Sequence, residues 1–186
     1  MFNLYDFDKT IYDGDSSVDF FLFSLRKKKI IVKYVPKVIL AFFKYKTKNI
    51  SKEEMKEIFF SFLIEIDDID SHVKVFWDTH GNKIKRWYLE SNHHKDIIIT
   101  ASPEFLIAPM GKKLGVKDVI ATKVDKLNGN FLSKNCYGEE KVKRLYDKYS
   151  KISISNAYSD SYSDMPMLKL AKHKYIVKKN KIKEIF

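Results

Sequence analysis

The sequence predicts an α/β protein: a parallel sheet covered by helices on both faces, with a long helical segment inserted after the first strand. Short runs of β-branched or aromatic residues alternate with stretches of helical spacing along the chain. Three of those runs lead into loops rich in Asp, Ser and Thr. Between the first two runs lie roughly 75 residues whose apolar positions recur with helical period.

Phe2-Asn3-Leu4-Tyr5-Asp6-Phe7 is apolar and aromatic and runs straight into an acidic turn, as a buried strand does when it ends in a functional loop. From Ser16 to Glu90 the spacing is helical, with Phe20, Phe21, Phe23 and Leu25 followed by Val32, Val35, Ile39, Phe42 and Phe43. Pro36 lacks an N–H and is expected to end or kink a helix near Val35. Further helices are expected over 52–63, where Ser51 and Glu54 have capping spacing, and over 71–91.

The pattern then becomes β-like. Residues 96–100 read as a buried strand, followed by a turn at 101–103, a helix over 104–114 and a strand over 116–122. Asn128-Gly129 signals a hairpin within 126–131. A helix over 139–149, a strand over 152–155, a helix over 164–171 and a strand over 175–177 complete the reading. In a parallel sheet the ligand site lies beyond the carboxyl ends of the strands, which directs attention to the loops after Tyr5, Ile99 and Ser155.

A chain of 186 residues with this apolar and charged content can bury one substantial core, which excludes a disordered or fibrous protein. Cys136 is the sole cysteine, and Met1 leads within a few residues to an acidic cluster rather than a signal peptide, so a reducing, cytoplasmic setting is expected. The net charge of +11 favours anionic partners. Nine Lys or Arg residues and no acid fall between Arg26 and Lys48. This apolar, basic segment reads either as a solvated helical face or as a peripheral contact with an anionic membrane at its inner face. A spanning helix is not expected, because 30–43 is shorter than the roughly 20 apolar residues a bilayer needs and contains Lys33, Pro36 and Lys37.

The three loops concentrate oxygen donors: Asp6, Asp8 and Thr10, then Thr100 and Ser102, then Asp160 and Asp164. Carboxylates gathered in one cleft repel one another unless a hard cation neutralises them. Mg²⁺ suits two or three Asp side chains with no His or Cys partner nearby, and zinc does not. Such a set points to phosphoryl transfer, with Asp6 as nucleophile, Asp8 as acid and base, and Thr100 with a lysine holding the phosphate. Asp13, Asp15, Ser16 and Asp67 read as caps or turn residues, and His93, His94 and Cys136 as structural or exposed.

Asp6-Phe7-Asp8-Lys9-Thr10 resembles the DxDxT signature of haloacid-dehalogenase-like phosphatases. Residues 97–102 resemble the second motif of that superfamily, Gly138-Glu139-Glu140-Lys141 its lysine motif, and 159–164 its terminal acidic motif. The resemblance covers the whole chain. It implies a Rossmann-like core with a helical cap, divided as 1–15 and 91–186 for the core and 16–90 for the cap. It implies catalysis by Asp6 and Asp8, substrate binding by Thr100, Ser102 and Lys141, and a Mg²⁺ site drawn from Asp6, the Asp8 carbonyl and Asp160 with support from Asp164.

True dehalogenases lack the second aspartate, and P-type ATPases carry a threonine in its place, so Asp8 favours a phosphatase. The inserted helices resemble the cap of phosphoserine phosphatases, where an acidic residue at the position of Asp15 meets the substrate amine. This implies a small phosphorylated metabolite such as phosphoserine as substrate. The apolar and basic insertion also resembles that of C-type phosphatidylglycerophosphatases, which implies a lipid phosphate as the alternative. A nucleic-acid-binding protein that merely retains the fold is disfavoured, since no nucleic-acid motif is present.

Overall fold

The computed structural model describes all 186 residues, Met1 to Phe186. The elements in order are β1 (Phe2–Tyr5), α1 (Ser16–Lys27), α2 (Val35–Lys46), α3 (Lys52–Phe60), α4 (Ile69–His80), α5 (Arg86–Leu89), β2 (Asp96–Pro103), α6 (Glu104–Leu114), β3 (Asp118–Thr122), α7 (Glu139–Lys148), β4 (Ile154–Ser159), α8 (Met165–Leu168), β5 (Ala171–Lys178) and β6 (Lys181–Ile185). They form one sheet of order β3-β2-β1-β4-β5-β6, parallel except for the antiparallel β6. This is the α/β, Rossmann-like architecture expected. β1 lies between β2 and β4, where the chain reverses its direction of travel across the sheet, so three loops open side by side at one edge.

Strand alternation sorts the core. Leu4, Ile97 and Ile99 face Leu145 of α7 and Met167 and Leu168 of α8, whereas Tyr5 and Ile98 face the opposite side with Phe105, Leu106 and Ile107 of α6. The second cluster continues without a break into the inserted helices, taking in Phe20, Phe62, Phe76 and Trp77. The indole N–H of Trp77 donates to the Leu106 carbonyl at 2.7 Å, so the insertion is anchored to α6 by a buried polar contact as well as by apolar packing.

Several local expectations are corrected. Pro36 lies in the first turn of α2, where a missing N–H is harmless and the fixed φ suits the helix; the break falls upstream at Lys28, which is extended before a 3₁₀ turn over Lys29–Tyr34. The helix expected over 71–91 begins earlier, capped by Asp68, and ends at His80 before Gly81. Beyond it, Ile84 forms a bridge with Tyr12, which ties the two ends of the insertion together. The helix expected over 52–63 is α-helical only to Phe60 and finishes in a 3₁₀ turn over Ser61–Glu65.

The Asn128-Gly129 turn is present, but the hairpin reduces to one bridge between Val124 and Phe131. β3 starts at Asp118 rather than Val116, and α8 is a single turn after the 3₁₀ segment Tyr162–Asp164. β4 runs four residues past the expected end, through Asn156 and Tyr158, because pairing with both β1 and β5 fixes its extent where composition is ambiguous. The loop of interest therefore follows Ser159, not Ser155. β6 escaped the sequence reading, since it is an exposed edge strand whose Lys-Ile-Lys-Glu-Ile run lacks a sustained apolar face.

Candidate active site

β1 ends at Tyr5, so Asp6 and Asp8 occupy the first residues beyond the sheet. β4 ends at Ser159 and delivers Asp160 to the adjacent loop, and β2 carries Thr100 and Ser102. The N-cap of α7 is Gly138, whose φ of 58° and ψ of −126° strongly favour glycine, and the first turn of the helix turns Lys141 inward. All eight sequence-predicted site residues, Asp6, Asp8, Asp15, Thr100, Ser102, Lys141, Asp160 and Asp164, line one cavity of about 380 Å³.

Lys141 is 1 % exposed, and its Nζ lies 2.7 Å from Asp6 Oδ1 and 2.7 Å from Asp164 Oδ2. Burial by itself would lower the lysine pKa, but the Asp6 and Asp164 carboxylates more than offset it and hold the ammonium charged. Burial also pushes the Asp6 carboxyl above its ordinary value, with Lys141 pulling it down and Asp164 and Asp160 pushing it up. Among the nearby lysines, Lys123, Lys126 and Lys143 do not line the cavity.

Asp8 has a different environment. Its Oδ1 accepts the backbone N–H of Ser16 at 2.7 Å, and its Oδ2 accepts the Ser102 hydroxyl at 2.5 Å. Burial, then the charge of Asp15, pushes the Asp8 carboxyl up to about 7, against the lowering effect of the hydrogen bonds from Ser102 and Ser16. Ser102 thus engages the second aspartate instead of merely shaping the turn before Pro103. Thr100 Oγ1 accepts the Ser102 N–H at 3.2 Å. Asp15 is the N-cap of α1, accepting the Val18 N–H at 3.1 Å, and also stands at the cavity wall.

Thr10, grouped above with the oxygen donors, is fully buried and acts as a strut. Its hydroxyl donates to Asp6 Oδ2 at 3.3 Å and accepts the Asp160 N–H at 2.9 Å, tying the first loop to the last. Burial also raises the pKa of Asp160, opposed by Lys9 and Lys178.

The four carboxyls of the expected metal set differ in their partners. No three acidic, imidazole or thiol side chains stand together as a ready cage. Asp164 is turned onto Lys141 and the Ser159 hydroxyl, the latter at 2.7 Å, and the Asp8 carboxyl is held by Ser16 and Ser102. Asp6 is shared by Lys141 and Thr10, Asp160 has no hydrogen-bonded partner on its carboxyl, and both line the cavity. Two carboxylates with backbone carbonyls, water and substrate oxygens match the ligand habits of Mg²⁺, so the residues fit that ion.

Sequence reasoning missed the wall formed by the insertion: Lys52, Met55, Lys56 and Phe59 of α3 and Phe42 of α2. Lys56 Nζ donates to the Ala101 carbonyl at 2.8 Å and to Asn135 Oδ1 at 3.0 Å, bridging the insertion to β2 and to the segment between β3 and α7. Burial, then the neighbouring charge of Lys52, pushes its pKa down to about 8. The available signal was the four-residue spacing of Lys52 and Lys56, with Met55 and Phe59 on the same side of a helix begun by a capping box worth about 1 kcal/mol.

With this geometry in place, the family description for haloacid dehalogenase-like hydrolases matches residues 4–169. The chain belongs to that family. This dehalogenase-like hydrolase is 33 % identical over 86 residues to the protein CicA of Caulobacter vibrioides, an alignment covering 43 % of this chain and 39 % of CicA. The match therefore spans well under half of that relative. Among solved structures, a protein of unknown function from Bordetella pertussis Tohama I superimposes with a TM-score of 0.73 at 20 % identity, covering 93 % of this chain and 87 % of that one. A phosphoserine phosphohydrolase-like protein from Francisella tularensis gives 0.57 at 15 % identity, covering 92 % and 84 %. These two likenesses are likenesses of fold. None of the helices of this hydrolase is long and apolar enough to cross a membrane.

Proposed function

We propose that this hydrolase cleaves phosphomonoesters in two steps through an aspartyl-phosphate on Asp6. The observation that carries the reading is the contrast between two carboxyls two residues apart. Asp6 is ion-paired to Lys141, whereas Asp8 faces a hydroxyl and the like charge of Asp15. The first environment suits an ionised nucleophile, and the second suits a group that carries a proton near neutrality.

In the first step a carboxylate oxygen of Asp6 attacks phosphorus while Asp8 donates its proton to the departing alkoxide. In the second, Asp8, now ionised, takes a proton from water as it attacks the phosphorus of the aspartyl-phosphate, which restores Asp6 and releases inorganic phosphate. Lys141 and the Thr100 hydroxyl hold the non-bridging oxygens. Asp6 and Asp160, with the Asp8 carbonyl, would hold Mg²⁺, which supplies positive charge against the charge that builds on the phosphoryl group. Residues 16–90 serve as a cap on a core of 1–15 and 91–186, excluding water and selecting the leaving group.

The substrate in this reading is a phosphorylated small molecule, phosphoserine being one form, with Asp15 near its amine. A lipid phosphate is the second reading, favoured by the apolar side chains of Phe42, Met55 and Phe59 at the cavity wall beside Lys52 and Lys56. The test is phosphate release from a panel containing phosphoserine and phosphatidylglycerophosphate, with Mg²⁺ or EDTA and with Asp6→Asn. Release that needs Mg²⁺ and disappears in Asp6→Asn is the expected result; release that survives Asp6→Asn overturns the mechanism.

A further inference from the structure

The outer surface of α2 runs against the usual pattern for a helix packed on a domain. Val38 and Ala41 face inward, yet Ile39, Leu40 and Phe43 are 65 %, 52 % and 63 % exposed. With Pro36 they recur at three- and four-residue spacing and form one apolar stripe along the outside of the helix. At 3.6 residues per turn, Lys37 and Lys44 fall on one flank of the stripe and Lys46 on the other. In the preceding 3₁₀ turn Ile30 and Val32 are also more than half exposed.

The charges around this patch are of two kinds. Lys28 and Lys33 are paired with Asp67 and Glu65 of the insertion itself. Lys37, Lys44 and Lys46 have no acidic partner, and no Asp or Glu occurs between Arg26 and Lys48. A solvated helical face would present lysines with few large apolar groups. A protein partner matched to the apolar stripe alone would not account for unpaired cations on both of its edges. Apolar side chains along the centre with cations at both margins complement a surface that is oily beneath and negatively charged above.

We propose that the outer face of α2 docks on an anionic lipid bilayer, with Ile39, Leu40 and Phe43 entering the interface and Lys37, Lys44 and Lys46 meeting the headgroups. The same helix contributes Phe42 to the wall of the cavity that holds Asp6 and Asp8, so the docked face adjoins the site. A phosphomonoester headgroup could then reach the cavity from the membrane plane. This deepens the lipid-phosphate reading, and its test measures binding, so its failure is distinct from a failure of the catalytic assignment.

The test is co-sedimentation of the full chain with vesicles of phosphatidylcholine alone or mixed equally with phosphatidylglycerol, at low and high salt. The wild type is expected to bind only the anionic vesicles and to be released by salt. Lys37→Glu with Lys44→Glu should weaken binding about 30-fold or more, since each lysine near an anionic surface is worth roughly one factor of five. Ile39→Ser with Phe43→Ser should weaken it about as much, while both variants keep the wild-type melting temperature and turnover of p-nitrophenyl phosphate. Binding that is absent, or equal on neutral vesicles, or unchanged in both variants overturns the proposal. So does a concentration-dependent dimer that Phe43→Ser separates, which would make a second copy of the chain the occupant of this face.

Discussion

The Lys141 ammonium stands 2.7 Å from Asp6 in a site where the lysine is closed to solvent, and it reaches Asp164 at the same distance. One cation thus serves two buried carboxylates. Removing it leaves like charges without compensation, so Lys141→Ala is expected to cost about 3–5 kcal/mol in denaturant unfolding without added metal. Asp6, whose carboxyl burial already holds above its ordinary value, would lose the lysine that pulls it down, so the deficit should shrink as pH falls toward the ordinary carboxylate range and grow above it. A deficit independent of pH would contradict the ion-pair account.

In the proposed mechanism Asp8 must be protonated to expel an alkoxide, and its carboxyl is pushed up to about 7. kcat/KM for an alkyl phosphate is therefore expected to fall above about pH 7, toward tenfold per pH unit. p-Nitrophenyl phosphate, whose leaving group needs no proton, should show a flatter limb. Asp8→Asn should lose roughly 10²–10⁴-fold on the alkyl ester and less on the aryl one. Equal losses on both would remove Asp8 from the acid role.

Two neighbours of Asp8 act on it with opposite sign. The charge of Asp15 raises its pKa, whereas the Ser102 hydroxyl, donating to the ionised form, lowers it. Asp15→Asn should shift the alkaline limb to lower pH, and Ser102→Ala should shift it to higher pH. The pH–rate profiles of the two variants on one substrate check this directly.

Gly138 occupies a backbone conformation that a side chain rarely adopts, although an added Cβ would meet nothing closer than the Ser163 carbonyl oxygen at 4.0 Å. Gly138→Ala is therefore expected to destabilise through strain alone, by about 1–3 kcal/mol. Thermal unfolding and turnover measured together check the assignment: activity should fall with the displacement of Lys141, three residues on.

Asp160 is offered as a Mg²⁺ ligand while its backbone N–H is fixed by Thr10. Asp160→Asn keeps that backbone contact and removes the charge, so the Mg²⁺ concentration for half-maximal turnover should rise at least about tenfold with little change in melting temperature. An unchanged Mg²⁺ requirement would count against the ligand role.

Most of the candidate site residues were legible because they sit within three positions of the carboxyl end of a strand, where local order and residue type coincide. Asp6, Asp8, Thr100 and Asp160 could be named from strand ends and acidic loops, and Lys141 from the four ordered motifs. β4 was misplaced because Asn156 and Tyr158 have no strong strand signal and are extended only by pairing on both sides. The role of Pro36 was misjudged because the same ring that breaks a helix interior is suited to its first turn.

The sequence alone determined the alternation of strands and helices and the gathering of acidic residues near strand ends, since these depend on period and on residue type. Only the tertiary structure decided which partner each carboxyl has: Lys141 for Asp6 and Asp164, Ser102 and Ser16 for Asp8. It also decided that Lys56 reaches the cavity and that Ile39 and Phe43 do not enter the core. Those outcomes depend on contacts between residues tens of positions apart, and electrostatic environment and exposure follow from such contacts rather than from local spacing.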